Sequence, residues 1–366
     1  MKLTVTRDAL IRPLQMVSGI VERRQTLPIL SNIRLSVSRQ ALSLVSTDLE
    51  IEMQTGIEVS KAQDGETTVP ARKFLDICRS LAEDAVIEFS VTGERATIRS
   101  GKSRFVLSTL PAREFPSIEV TRELSRFAVS QVTLRDALSR TQFAMAQQDV
   151  RYYLNGMLFE LKGQALNLVA TDGHRLALCE LPYSAESKEN QSVIVPRKAV
   201  QELSRLLADD ESDAEIRLGS NFIRVDTPQM HFTSKLIDGR FPDYQNVVPA
   251  GGNKTVVCDR DGLRQALTRV SILSNEKYRG VRLHFSTGAT RIFAHNPEQE
   301  EAEEELAVDY AGEEIEIGFN VTYLLEALSA CRADQVRLIL TDSNSSCLIQ
   351  GVGEKDCKHI VMPIRL

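Results

Sequence analysis

The chain is 366 residues long, 42% hydrophobic and 26% charged, with a formal net charge of −6 at pH 7. That length exceeds one ordinary domain, and the apolar content excludes an intrinsically disordered chain. No run approaches the roughly 20 apolar residues of a membrane helix, and the opening Met1-Lys2-Leu3-Thr4-Val5-Thr6 lacks a signal-peptide pattern, so a cytoplasmic protein without membrane contact is expected.

In chain order, an amphipathic helix opens at Arg7-Asp8-Ala9-Leu10-Ile11-Arg12. Pro13 falls inside its pattern and predicts a kink or a late start. Alternation along Ile33-Arg34-Leu35-Ser36-Val37 predicts a strand, and Ser46-Thr47-Asp48 follows. Val69-Pro70-Ala71-Arg72-Lys73 leads into a second helix on the stripe Phe74, Ile77, Cys78 and Leu81, then into a strand at Ile87-Glu88-Phe89-Ser90-Val91. Ser108-Thr109-Leu110 and Phe115-Pro116 come last.

The landmarks then return. The first helix reappears as Arg135-Asp136-Ala137-Leu138-Ser139-Arg140, with an apolar stripe at Leu134, Ala137, Leu138 and Met145. It is followed by Ala170-Thr171-Asp172, by Val195-Pro196-Arg197-Lys198 with the stripe Val200, Leu203 and Leu207, and by Thr233-Ser234-Lys235-Leu236 with Phe241-Pro242. A third series runs Arg264-Gln265-Ala266-Leu267-Thr268-Arg269, Ala294-His295-Asn296, Gly318-Phe319-Asn320, the stripe Leu324, Ala327, Leu328 and Cys331, the strand Val336-Arg337-Leu338-Ile339-Leu340, and Ile360-Val361-Met362-Pro363. Several landmarks in one order at a spacing of about 125 residues predict three copies of one domain, near 1–120, 121–249 and 250–366. Each copy is read as α+β, two helices packed on mostly antiparallel sheet.

Charge is unevenly placed. The excess of carboxylates grows toward the tail, where it is concentrated in Glu298-Gln299-Glu300-Glu301-Ala302-Glu303-Glu304-Glu305. In the first copy Arg95, Arg99, Lys102 and Arg104 surround Phe105 and Leu107 on a strand. A basic-rimmed apolar strand at the head, and an acidic run near Ile272-Leu273 at the tail, suggest head-to-tail self-association that closes into a ring where the rotation permits. The helices carry the opposite bias: arginines repeat in register at 7 and 12, 135 and 140, and 264 and 269, and the second helices begin with Arg72-Lys73 and Arg197-Lys198 and continue to Arg79 and Arg205. Six scattered cysteines, with no CxxC and no histidine at ligand spacing, argue for buried thiols rather than disulfides or structural zinc.

With Thr26-Leu27-Pro28-Ile29-Leu30, Val69-Pro70-Ala71-Arg72-Lys73-Phe74, Gln148-Asp149-Val150-Arg151-Tyr152-Tyr153-Leu154-Asn155-Gly156, Ala170-Thr171-Asp172-Gly173-His174-Arg175-Leu176, Asp238-Gly239-Arg240-Phe241-Pro242-Asp243-Tyr244 and Met362-Pro363-Ile364-Arg365-Leu366, the whole chain resembles the bacterial sliding clamps, the beta subunits of DNA polymerase III. The resemblance implies three clamp domains per chain and a head-to-tail dimeric ring, its helices lining a central pore around duplex DNA. It implies a non-catalytic processivity factor with no cofactor and no metal, whose partners are non-specifically held duplex DNA, a second copy of itself, the polymerase III catalytic subunit, the clamp loader, and other polymerases and repair proteins bound through short linear motifs.

Carried over by position, the DNA-facing candidates are Arg24, Arg72, Lys73, Arg79, Gln148, Tyr152, Tyr153, Arg197 and Lys198. The peptide pocket takes Tyr153, Leu154, Thr171, Gly173, His174, Arg175, Leu176, Pro242, Val247, Tyr323, Ser346, Ile360, Met362, Pro363, Ile364 and Arg365. At the subunit junction Phe105 and Leu107 are expected against Ile272 and Leu273, with Arg95, Arg99, Lys102 and Arg104 facing Glu298, Glu300, Glu301, Glu303 and Glu304. Gln147 and Asn246 stand where the best-known members carry a histidine and an arginine, which bears on pocket selectivity.

Two rival readings compete with this one. An enzyme would need more than Asp172-Gly173-His174-Arg175: no nucleophile motif, metal cluster or phosphate loop accompanies it, and the echo at Thr47-Asp48-Leu49 lacks the histidine. The acidic run lacks the Asp/Gly spacing of a calcium loop. A monomeric repeat scaffold that binds only proteins would differ from the clamp in failing to close.

Overall fold

The structure is a computed structural model that describes residues 1–22, 27–185, 190–249 and 251–365; Arg24, Thr26 and Leu366 lie outside the described residues. The first copy runs β1 (Lys2–Thr6), α1 (Arg7–Ile20), β2 (Asn32–Ser38), β3 (Ala41–Thr47), β4 (Ile51–Glu58), β5 (Ser60–Gln63), β6 (Gly65–Pro70), α2 (Ala71–Ser80), β7 (Val86–Thr92), β8 (Arg95–Ser100) and β9 (Ser103–Ser108). The second runs β10 (Glu123–Ser130), α3 (Gln131–Thr141), β11 (Gly156–Lys162), β12 (Ala165–Thr171), β13 (Arg175–Pro182), β14 (Ser184–Ala185), β15 (Gln191–Pro196), α4 (Arg197–Leu206), β16 (Asp213–Gly219), β17 (Phe222–Thr227) and β18 (Met230–Lys235). The third runs β19 (Lys254–Asp259), α5 (Arg260–Val270), β20 (Gly280–Ser286), β21 (Ala289–His295), β22 (Glu301–Ala307), β23 (Ile315–Asn320), α6 (Val321–Ala330), β24 (Gln335–Leu340), β25 (Cys347–Gly351) and β26 (Cys357–Val361). Each copy therefore contains, twice, a strand, a helix and a three-stranded meander.

The copies are joined by strand pairing. A nine-stranded sheet, ordered β14-β10-β16-β17-β18-β4-β3-β2-β6, joins the first copy to the second through β4 and β18, antiparallel from His231 opposite Gln54 to Ser234 opposite Ile51. An eight-stranded sheet, β15-β11-β12-β13-β26-β25-β24-β19, joins the second to the third through β13 and β26, from Arg175 opposite Val361 to Cys179 opposite Cys357. A five-stranded sheet β5-β1-β7-β8-β9 and a four-stranded sheet β22-β21-β20-β23 end on β9 and β22. The described residues form two compact units. One holds Met1–Val132 with Gln201–Leu236, and the other holds Thr133–Tyr183 and the chain from Ile237 onward. The middle copy thus contributes to both.

The helices form where the apolar stripes are. Leu10, Leu14, Val17 and Ile20 of α1 are buried, and Pro13 is buried within the helix. α1 begins at Arg7 rather than late, because Thr6 Oγ1 accepts the Ala9 N–H at 3.4 Å and caps it. In the third copy Leu263, Ala266, Leu267 and Val270 of α5 share one core with Leu324, Ala327 and Leu328 of α6 and with Val281, Leu283, Phe285 and Phe319 of the sheet. Each such Val, Leu, Ile or Phe side chain removed from water contributes about 1.5 to 3 kcal/mol before entropy is counted.

One expectation is corrected. Cys179 and Cys357 are disulfide-bonded; they are 178 residues apart in sequence but opposite each other on β13 and β26, so strand register brings together cysteines whose spacing carries no signal. The thiols of Cys78, Cys258, Cys331 and Cys347 are free and buried, and burial pushes the first three up to about 12. The first-helix arginines, which repeat in register, serve different partners. Arg140 is buried, donating to the Ala330 carbonyl at 2.9 Å, to Asp356 at 3.1 Å and to Glu354, and Arg269 donates to Glu304 at 2.9 Å.

Candidate functional site

The turn between β12 and β13 builds one site. Asp172 Oδ1 accepts the backbone N–H groups of His174 and Arg175 at 2.9 and 3.1 Å, and Gly173 turns through a positive φ of 89° that favours glycine. Asp172 Oδ2 also accepts Arg175 Nε at 3.0 Å, so this carboxylate anchors an arginine and a turn rather than pairing with the imidazole as an acid-base couple. The Arg175 guanidinium lies 4.5 Å from the Tyr323 ring centroid and 5.3 Å from that of Phe143, and the His174 ring stacks on Tyr323 at 6.5 Å and 17°. Burial raises the Tyr323 hydroxyl above its ordinary range.

Two cavities flank these rings. One, of about 690 Å³, is lined by His174, Arg175, Tyr323 and Glu326 together with Gln148, Asp149, Arg151 and Arg197. The other, of about 800 Å³, is lined by His174, Tyr323, Ile364 and Arg365 together with Tyr278, Arg282 and Phe293. The tail is held in place by backbone bonds, Met362 N–H to the His174 carbonyl and Ile364 N–H to the Gly318 carbonyl, each at 2.9 Å. Leu176 and Ile360 pack with Leu158, Val169, Leu178, Tyr244 and Leu348, and Val247 lies against that cluster. Burial, aided by its hydrogen bond to Glu160, pushes the Tyr244 hydroxyl up to about 12. Leu154 and Thr171 are buried, Pro242 is exposed, and Ser346 donates to the Val247 carbonyl at 3.4 Å. Pro363 is half-buried.

The DNA-facing candidates fall into two groups. Arg72, Lys73 and Arg79 are exposed on α2, with Arg72 also donating to the Val21 carbonyl at 3.3 Å. In the second copy Arg197 plays the same local part, donating to the Met145 carbonyl at 2.7 Å, and is half-buried, as is Lys198 beside it. Gln148, at a positive φ of 56°, lies on the loop that carries Asp149, Val150, Arg151 and Tyr152. Val150 is 95% exposed and Tyr152 58%, while Tyr153 is half-buried edge-on against Tyr152 at 5.9 Å. The Arg151 guanidinium holds the Asp149 carboxyl down at about 2, fixing the loop tip.

The junction candidates occupy the two sheet edges. β9 is paired only with β8, and β22 only with β21, among the described residues. Arg99 and Arg104 are direct cross-strand neighbours, and with Arg95 and Lys102 they are exposed and form no ion pair within 4 Å among the described residues, although Glu88 of β7 lies opposite Arg99 on the other side of β8. Like charges so placed repel unless an anion lies against them. Glu301 and Glu303 are exposed on the outer face of β22, and Glu298 and Glu300 on the turn before it. Ile272 is 76% exposed, with Leu273 half-buried beside it.

Two junction expectations need correction. Strand alternation turns Glu304 inward to Arg269, so it is not part of the outer acidic rim. Leu107 is already buried by its own chain, at 8% exposure, which leaves half-buried Phe105 and exposed Val106 as the apolar surface of β9. The residues that sequence reasoning missed are Phe143 and Glu326 around Arg175. Tyr323 and Glu326, one helical turn apart on α6, were the available signal.

Three family models cover the chain. They are those of the DNA polymerase III beta subunit: its N-terminal domain over residues 1–119, its central domain over 128–243 and its C-terminal domain over 245–365. The beta sliding clamps of Pseudomonas putida and of Escherichia coli K12 are 54% and 52% identical to the chain, with all of each chain covered. The crystal structure of the polymerase III beta subunit of Pseudomonas aeruginosa superposes with a TM-score of 0.97 at 53% identity, and a sliding clamp of that species bound to griselimycin with 0.98 at 53%, each over the full length of both chains. Such a fold, three clamp domains of antiparallel sheet with two helices each, defines a non-catalytic processivity factor. The chain belongs to the family of DNA polymerase III beta subunits, the bacterial sliding clamps. Its function is that of a DNA sliding clamp that tethers a polymerase.

Proposed function

We propose that two copies close head to tail by adding β22 of one to β9 of the other, enclosing duplex DNA. One observation carries this reading. The third strand of one copy's first meander pairs with the last strand of a neighbouring copy at β4–β18 and again at β13–β26, and the corresponding strands left over are β22 and β9. Joined, the five- and four-stranded sheets would reach the size of the two sheets already closed. Unsatisfied edge groups, a repelling arginine pair on one edge and carboxylates on the other favour that pairing.

The division into copies at 1–120, 121–249 and 250–366 follows from the same repeated element order. Within the ring, Arg72, Lys73, Arg79, Gln148, Arg197 and Lys198 would face phosphates, and Tyr152 with Tyr153 would stack on unpaired bases. A clamp that slides cannot hold bases, since each specific contact is a trap of about 1 to 3 kcal/mol. Enclosure supplies retention, and screened contacts with phosphates permit movement.

The rings and tail around His174, Arg175 and Tyr323, with Leu176, Val247, Ile360 and Met362, would take short linear motifs of the polymerase III catalytic subunit, the clamp loader, other polymerases and repair proteins in the cytoplasm. Methionine and aliphatic walls adapt to varied peptides. Griselimycin on the Pseudomonas aeruginosa clamp is a ligand of a relative that shares this fold at 53% identity. The test of the whole reading is topological. Loaded onto nicked circular DNA by a clamp loader, the protein is expected to stay bound through a high-salt wash and to escape once the circle is cut. Equal retention on circular and linear DNA would contradict enclosure.

A further inference from the structure

We propose that Glu326 is a positioning residue of the peptide pocket: from α6 its carboxylate fixes the Arg175 guanidinium between the Tyr323 and Phe143 rings, so that the pocket wall is set before a ligand arrives. The proposal rests on the peptide-pocket reading above. Arg175 is held on three sides, Nε by Asp172 at 3.0 Å, Nη2 by the Phe143 carbonyl at 2.7 Å and Nη1 by Glu326. The first two partners come from the same copy as Arg175. Glu326 alone reaches across from the third copy, one turn after Tyr323 on the same helix face. The Tyr323 ring carries the Arg175 guanidinium on one side and stacks with His174, so the placement of one guanidinium governs the rings that line both cavities.

A positional role follows from the exposures. The Glu326 side chain is 40% exposed and that of Arg175 only 11%. Because Asp172 still pairs with the guanidinium and Glu326 itself is partly exposed, losing the Glu326 contact should cost little stability. Its removal, however, leaves a long arginine side chain with one anchor fewer, free to occupy the groove in the unliganded protein. Ordering that side chain on binding would then weaken affinity about three- to tenfold. The loss belongs in the association rate, because only the fraction of protein with Arg175 seated is competent to bind.

Griselimycin is the probe, titrated onto the intact dimer by calorimetry and followed by surface plasmon resonance. Wild type is expected to bind and Tyr323→Ala to lose binding; if Tyr323→Ala binds as wild type does, the pocket reading fails at its base. With those two controls as expected, Glu326→Gln should bind about three- to tenfold more weakly through a slower association rate, with dimerisation and melting temperature unchanged. Glu326→Asp, which keeps the charge one methylene short, should recover part of the loss. Unchanged binding in Glu326→Gln, a loss confined to the dissociation rate, or a loss that tracks melting or dimer dissociation would each overturn the proposal.

Discussion

The seam between β13 and β26 and the edges of β9 and β22 are the same structural position in two conditions. At the seam five residue pairs are in register, the Cys179–Cys357 bond covers one end, and the buried Arg140 holds Glu354 and Asp356 close by. At the edges the backbone is open, arginines sit beside arginines, and Ile272 projects into solvent. The seam is complete within one chain, whereas the edges carry what a seam needs but divided between head and tail. The contrast teaches that charge left unpaired on a sheet edge can be a statement about assembly rather than about solubility.

The contrast can be broken most severely at the apolar contact. Replacing Ile272 and Leu273 by alanine should remove about 2 to 4 kcal/mol from each of the two junctions and yield folded monomers that still bind griselimycin, as judged by light scattering. Dimers persisting at nanomolar concentration would contradict burial as the main source of affinity. A smaller effect is expected from Arg99→Glu with Arg104→Glu, which should weaken dimerisation at low salt and lose most of that effect at 1 M salt, where the Debye length is about 3 Å. The seam itself should be less sensitive: Cys179→Ser with Cys357→Ser is expected to lower the melting temperature while leaving dimer and griselimycin affinity intact.

A further effect, confined to acid pH, is local to the seam. His359 is fully buried on β26, with neither ring nitrogen hydrogen-bonded among the described residues, and burial, aided by the nearby Arg140 charge, drives its pKa down to about 3. The unfolded chain therefore takes up a proton below about pH 6.5 that the folded one refuses. Stability from this group is fully present above that pH and is lost progressively toward pH 3, at up to about 1.4 kcal/mol per pH unit. His359→Gln should flatten that acid limb in a urea titration, and an unchanged pH slope would refute the assignment.

Much of this was legible in the sequence because it is periodic. The repeated helix stripes, the strand alternation along Ile33–Val37 and Val336–Leu340, and the opposed charges near 95–104 and 298–305 are local patterns that survive without a partner. What was not legible depends on register between distant strands. The Cys179–Cys357 bond, the burial of Leu107 and the use of Arg140 as a seam anchor are each decided by what lies opposite, information held in no window of sequence. Glu326 escaped for a related reason, since its partner Arg175 lies 151 residues away.

Backbone hydrogen exchange resolved to single amides tests the shared-seam claim most directly. In the dimer, alternate amides of β9 and β22 should exchange as slowly as those of β13 and β26, and should become fast in the Ile272→Ala, Leu273→Ala monomer while the β13–β26 amides stay protected. Edge amides that exchange at loop rates in the intact dimer would contradict the account.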